Sequence, residues 1–474
     1  MLVRKGCARF WGGGIVLRGA VRTQFCVVLL GLWAGVFGVA VDEARGQVTI
    51  QVRDIVKISV SSPAEIRIRI DMRAPRRAWS FRNAYAGVLG LGERIEQFRA
   101  FGTNGADAGA KKIVAGEFRT EVYATPIEYV VKLPTPGAAD VAHVSWLAGE
   151  SGFLMLADLL PEELTDVLVE LSLPAGWSAQ CSVEALAPGH FKVADPEQTV
   201  FFIGRSLRKQ SKRVNGVTIE SVIDGAWPFK DDAVLTAASK VLEKYLTLTG
   251  FTLTSKNVVM IAPLPVAVGS VKWRAETRGS TVVLLMDPHA TIANWQGQLG
   301  IIFTHELLHL WVPNALRLQG DYDWFFEGFT LYTALVTALE LKFIDRNEYV
   351  ATLARVYDAY LSRPDELSLI DASERRWTTG NSVVYDKGML VAFLYDLAIR
   401  KDSGGKIWLG DVYKRLFARA ATQPANGNEV IIQLLSSTPA GADLAKSYIE
   451  GQRELDLKLL FADQKQLLKS LYYR

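Results

Sequence analysis

Residues 297–311 read GQLGIIFTHELLHLW, and the organisation of the chain follows from what this stretch can do. Its apolar residues fit a buried helix. Residues four apart share one helical face, so His305 and His309 can reach a single ion, while Glu306, offset by about 100°, lies beside it. Two imidazole ligands and a carboxylate placed to take a proton from water are the arrangement a zinc hydrolase needs. The sequence holds only five histidines, the others being His143, His190 and His289, so abundance does not explain the pair.

A catalytic zinc usually has three protein ligands and one open position. The third candidate is Glu327, in DWFFEGF at 323–329, 18 positions beyond His309 and at the start of a further helical run. A carboxylate among Trp324, Phe325, Phe326 and Phe329 is expensive to bury without a partner, and a cation supplies one. The alternative for Glu327 alone is an acid favoured at a helix N-terminus by the macrodipole.

HELLHLW followed by WFFEGF resembles the gluzincin metallopeptidases. That resemblance implies His305, His309 and Glu327 as ligands of one zinc ion and Glu306 as general base. The stretch YDKGMLVA at 385–392 is similar to the tyrosine-x-lysine-glycine helix of aminopeptidases in this clan, closest to the glycyl-aminopeptidase-like branch. It implies that Tyr385 donates a hydrogen bond to the oxyanion of the tetrahedral intermediate. Three departures accompany it. The spacing from His309 to Glu327 is shorter than in the glycyl branch. The clan's glycine-glycine-x-glutamate strand, which binds the substrate amino terminus, corresponds to WRAE at 273–276. Glu276 is retained there as a candidate partner for an α-ammonium group, but both glycines, which permit close backbone approach, are replaced. No PDZ domain of the kind that branch carries is expected, since the sequence ends in helical residues.

Outward from this core the periodicity divides the chain. Over 47–205 it is two, as where Ile66, Ile68 and Ile70 alternate with Arg67, Arg69 and Asp71. Beyond 215 helical spacing at 231–246 and strand-like runs at 257–262 and 280–286 precede a helical body, with a turn at Ser403-Gly404-Gly405. The expectation is an α+β protein: an N-terminal antiparallel β-sandwich-like domain (47–210), a polar boundary loop over 205–215, a thermolysin-like, mainly helical catalytic domain (225–425) and a C-terminal helical segment (426–474).

The 474 residues carry 53 basic and 50 acidic side chains, a net charge of +3. Five of the positive charges, Arg4, Lys5, Arg9, Arg18 and Arg22, lie in the acid-free first 24 positions, which leaves −2 for the body. No basic block remains, so nucleic acid is not an expected partner. Residues 25–41 (FCVVLLGLWAGVFGVAV) follow that basic stretch and precede Asp42 and Glu43. This is the layout of a secretory signal in 1–41, or of an uncleaved signal anchor in the membrane, and either places the body outside the cytoplasm, periplasmic in a two-membrane cell. Only Cys181 remains in the body, where it reads as a buried small hydrophobe, and His289 reads as a loop residue. The tail at 455–473 reads as an amphipathic packing helix.

The expected activity is aminopeptidase-like hydrolysis of peptide bonds with a peptide as partner and one Zn2+ as cofactor, the WRAE strand leaving exo- against endopeptidase action open. The competing expectation is an inactive pseudopeptidase that binds peptides or proteins in the cell envelope.

Overall fold

The computed structural model describes residues 53–62, 64–137, 141–265, 273–289, 298–363 and 366–457. The apolar leader at 25–41 and most of the tail at 455–473 lie outside them. No helix among the described residues is long and apolar enough to cross a membrane.

The period-two region forms two large sheets and one short hairpin, Ala84–Tyr85 with Val88–Leu89. The larger has nine strands and centres on Asp54–Ser62, Glu65–Asp71 and the long Glu117–Lys132. Ile66, Ile68 and Ile70 are buried while Arg67 is exposed, as the alternation requires. One pairing departs from the antiparallel expectation: Asp54–Ser62 runs parallel to Val167–Ser172, with Ile58 opposite Leu171. Side-chain alternation reports which face is buried and is blind to the direction of the neighbouring strand.

The second sheet has four strands, Ser178–Gln180, Val200–Gly204, Ser151–Met155 and Trp146–Ala148 in spatial order. Its strand VFFIG is buried at every position, which explains a continuous apolar run in place of alternation. Phe201, Ile203 and Leu154 pack into the core of the nine-stranded sheet, and Cys181 is buried in that core as expected. Phe202, Phe153 and Trp146, on the other face, pack against Val222, Met260 and Leu285 of a third sheet.

That third sheet has five strands in the order Arg208–Val214, Val217–Ile223, Asn257–Pro263, Thr281–Met286, Trp273–Arg278. Its first strand corrects the boundary loop expected over 205–215. The polar stretch RKQSKRV is a mostly exposed edge strand paired antiparallel with Val217–Ile223, and an edge strand tolerates lysine and arginine on both faces. The middle pairings are parallel, and the helix Asp231–Thr249 makes the crossover. It ends at Gly250, whose left-handed φ of 65° caps it. The remaining face of this sheet carries the helical body, in one core joining Ile261 and Leu284 to Leu307, Phe325, Leu390 and Tyr413. The described residues from 53 to 457 are therefore stacked as sheet, sheet, sheet and helices, and the strand Trp273–Arg278 is left as an edge beside the helix that carries the histidines.

Candidate metal centre

The helix Gln298–His309 places His305 and His309 one turn apart, as the spacing predicts. Thr304 anchors it to the neighbouring helix Thr330–Glu340, its hydroxyl lying 3.1 Å from the Ala334 carbonyl. The two rings are 4.4 Å apart between centroids, and their Nε2 atoms are separated by 3.0 Å. Glu327 completes the group: its Oε2 lies 3.2 Å from His305 Nε2 and 3.4 Å from His309 Nε2. All three residues are buried.

The hydrogen bonds around this group decide what it can hold. His309 Nδ1 lies 2.8 Å from the Val312 carbonyl, which only accepts, so Nδ1 carries hydrogen and the Nε2 lone pair is turned inward. His305 Nδ1 faces the Thr330 hydroxyl at 3.4 Å, while that hydroxyl donates to the Phe326 carbonyl at 2.6 Å. Glu327 Oε2 is buried and receives no hydrogen bond. Three electron-pair donors thus converge with nothing between them, an arrangement that a cation satisfies. The electrostatics show a place that draws positive charge: burial opposes charge on His309, yet the carboxylates of Glu327 and Glu306 hold its proton affinity up to about 9, so an ion that takes the Nε2 lone pair displaces a proton held there. Burial works against the Glu327 carboxylate too, but Arg376 and His309 keep it well below the usual range. Two imidazoles and one carboxylate are a donor set that zinc accepts, so the residues fit the ion.

Glu327 sits on a π-helical turn, Trp324–Phe329, where WFFEGF enters the helix Thr330–Glu340. Tyr385 sits on another, Val383–Lys387, entering the helix Gly388–Asp402. Such wide turns recur at functional sites because they re-aim side chains that a regular helix would direct elsewhere. The structure brings Tyr385 to Glu327, with Arg376 Nη2 3.1 Å from its hydroxyl. Burial and the Glu327 charge push its proton affinity well above the ordinary phenol value, so it stays a hydrogen-bond donor.

Glu306 lies beside the group, 8% exposed. The Thr277 hydroxyl, on the edge strand, lies 2.6 Å from its Oε2 and 2.9 Å from its backbone carbonyl. Thr277 and Arg376 are the two site residues that sequence reasoning missed. Thr277 adjoins the WRAE stretch, which is a weak signal; Arg376, on a third π-helical turn at Arg376–Gly380, carries none.

Glu276, the candidate partner for an α-ammonium group, has protein partners of its own. It neighbours Thr277 in a strand, so the two side chains leave on opposite faces. Its Oε1 accepts from Tyr85 at 2.8 Å and from Arg278 Nε at 2.6 Å, and its Oε2 meets His143 Nδ1. Burial opposes its charge, but Arg278 and His143 hold the carboxyl at about 2. An incoming ammonium would find this carboxylate already neutralised. His289, in contrast, lies in a turn after Asp287-Pro288, as expected.

No protein-family model matches this chain, and no curated protein matches it in sequence. Solved structures do match in three dimensions. An aminopeptidase N family protein from Idiomarina loihiensis superposes with a TM-score of 0.74 at 18% identity, covering 88% of this chain and 78% of that one. An M1 zinc metallopeptidase from Deinococcus radiodurans gives 0.56 at 14% identity, covering 85% and 95%, and a mutant of it bound to a Tyr-Ser-Ala substrate gives 0.57 at 13%. At these identities the likeness establishes the fold, a multi-sheet β domain followed by a helical domain as in the M1 zinc metallopeptidases.

Proposed function

We propose that this chain is a zinc-dependent peptidase. The observation that carries the reading is the convergence of His305 Nε2, His309 Nε2 and the unpartnered, buried Glu327 Oε2 beside Glu306. His305, His309 and Glu327 would hold the ion, which when bound supplies a Lewis acid that polarises a carbonyl and makes water nucleophilic near neutral pH. Glu306, steadied by Thr277, takes the proton of the attacking water and delivers it to the leaving nitrogen. Tyr385 donates a hydrogen bond to the oxyanion as the carbonyl becomes tetrahedral. The edge strand Trp273–Arg278 offers backbone groups along which an extended peptide can lie. A peptide as substrate is supported by the fold shared with the Deinococcus structure that holds Tyr-Ser-Ala. The basic-then-apolar leader supports work outside the cytoplasm.

The test is digestion of a mixed peptide pool by purified residues 42–474 loaded with zinc, read by mass spectrometry beside Glu306→Gln. Stepwise loss of amino-terminal residues identifies an aminopeptidase, and internal cuts an endopeptidase. Cleavage that survives Glu306→Gln overturns the mechanism. Absence of any cleavage by folded, zinc-loaded protein overturns the peptidase reading in favour of a binding module.

A further inference from the structure

We propose that Arg376 is a positioning residue of the metal centre, holding Glu327 so that it offers the two histidines one oxygen only. The proposal rests on the metal-centre reading above. Arg376 is nearly buried, with 11% of its side chain exposed. Its Nη1 lies 2.5 Å from Asp323 Oδ1, and its Nη2 lies 2.5 Å from Glu327 Oε1 and 3.1 Å from the Tyr385 hydroxyl. The guanidinium is clamped between aromatic rings, 4.5 Å from the centroid of Trp377 and 5.3 Å from that of Phe326.

A guanidinium is a rigid planar fork, so fixing one prong fixes the other. Asp323 holds Nη1, and Nη2 is thereby committed to Glu327 Oε1 and Tyr385. Rotating the Glu327 carboxylate to present both oxygens to the histidine side would break a short, charge-assisted hydrogen bond. Oε1 is therefore spoken for, and Oε2 alone faces His305 and His309. The consequence is an open position. A hydrolytic zinc site with three protein ligands must leave room for water and substrate, and a two-oxygen carboxylate would take part of that room. Arg376 also ties Glu327 to Tyr385, so the ligand and the oxyanion donor share one scaffold.

The test compares the wild-type chain with Arg376→Gln and Arg376→Lys, each loaded with Co2+ as a spectroscopic stand-in and each titrated with zinc against a chelator. Thermal unfolding checks that the variants fold. In Arg376→Gln the freed carboxylate is expected to bind through both oxygens, so the visible cobalt absorption falls by about twofold as coordination number rises. The zinc Kd is expected to rise about 10- to 100-fold. Lysine keeps the charge but cannot span two carboxylates, so Arg376→Lys is expected to show the same spectral change. A folded Arg376→Gln with wild-type spectrum and Kd overturns the proposal, as does full rescue by lysine. If the arginine variants do not fold, Asp323→Ala, which removes the acceptor that anchors the other prong, is expected to shift the spectrum in the same direction, and an unchanged spectrum overturns the proposal. A wild-type chain that takes up neither cobalt nor zinc overturns the metal-centre reading itself and the proposal with it.

Discussion

Gly328 and Gly388 meet backbone to backbone, and a Cβ built on Gly328 would stand 2.6 Å from Cα and C of Gly388 and 2.7 Å from the Val384 carbonyl oxygen. No side chain fits between two main chains at that separation. Each glycine lies close in sequence to a site residue, Gly328 directly after Glu327 and Gly388 three beyond Tyr385. This crossing point is what brings the Glu327 carboxylate and the Tyr385 phenol together.

Gly328→Ala is therefore expected to cost about 1–3 kcal/mol of stability by overpacking and to push Tyr385 away from Glu327. Gly388→Ala is expected to be milder, since its added Cβ would stand 3.1 Å from Gly328 Cα and from the Trp324 carbonyl oxygen. Thermal midpoints with peptide turnover on both variants check the order. A Gly328→Ala protein with normal stability and turnover contradicts it.

Thr277 holds the carboxylate of Glu306, and its hydroxyl bonds to that residue and not to His305, His309 or Glu327. Thr277→Val keeps the shape and removes the hydroxyl, so turnover is expected to fall about tenfold, a fraction of the full general-base contribution. Zinc affinity should stay as in the wild type, and Thr277→Ser should recover most of the loss. A zinc titration beside the kinetic assay separates this from general damage.

Binding of an ion to the folded chain alone raises its stability by mass action, by about 2.7 kcal/mol at a free zinc concentration a hundredfold above Kd. The unfolding temperature is expected to rise with zinc and fall with a chelator in the wild type. His305→Ala should lose this response, because two donors remain of three. Differential scanning fluorimetry across a zinc series reads it directly.

The Glu276 network gives a pH prediction. Its carboxyl titrates near 2 when folded against an ordinary 4.5, so its stabilisation is complete above about pH 4.5 and is lost as pH falls toward 2. The shift corresponds to roughly 3 kcal/mol. Glu276→Gln leaves Arg278 buried with its main counter-charge gone and should be clearly less stable than wild type at pH 7. That gap in unfolding midpoint is expected to narrow between pH 4.5 and pH 2.5. A gap that stays constant over this range rules the linkage out.

Sequence periodicity located what local geometry dictates. His305 and His309 share a helical face by arithmetic, and Glu327 stood out because a lone acid among four aromatics needs a partner. Tyr385 came through a motif. Arg376 did not, because nothing in RRWTTG signals that a π-helical turn will deliver a guanidinium to residues 49 and 53 positions earlier. The fate of Glu276 was within reach: Arg278 is its i+2 neighbour, and in a strand i and i+2 share a face. The edge strand Arg208–Val214 is not legible as a strand because its polar residues satisfy a loop equally well until a partner strand is known.

The middle sheet, buried on both faces, has a consequence for how the chain can be divided. VFFIG at 200–204 belongs to two interiors at once, so no cut before or after it yields two closed surfaces. A fragment begun at Arg208 would carry Val222, Met260 and Leu285 as a bare apolar floor, inviting self-association. The half that carries His305, His309 and Glu327 is not a detachable module, and its rear wall is on loan from the sheet in front.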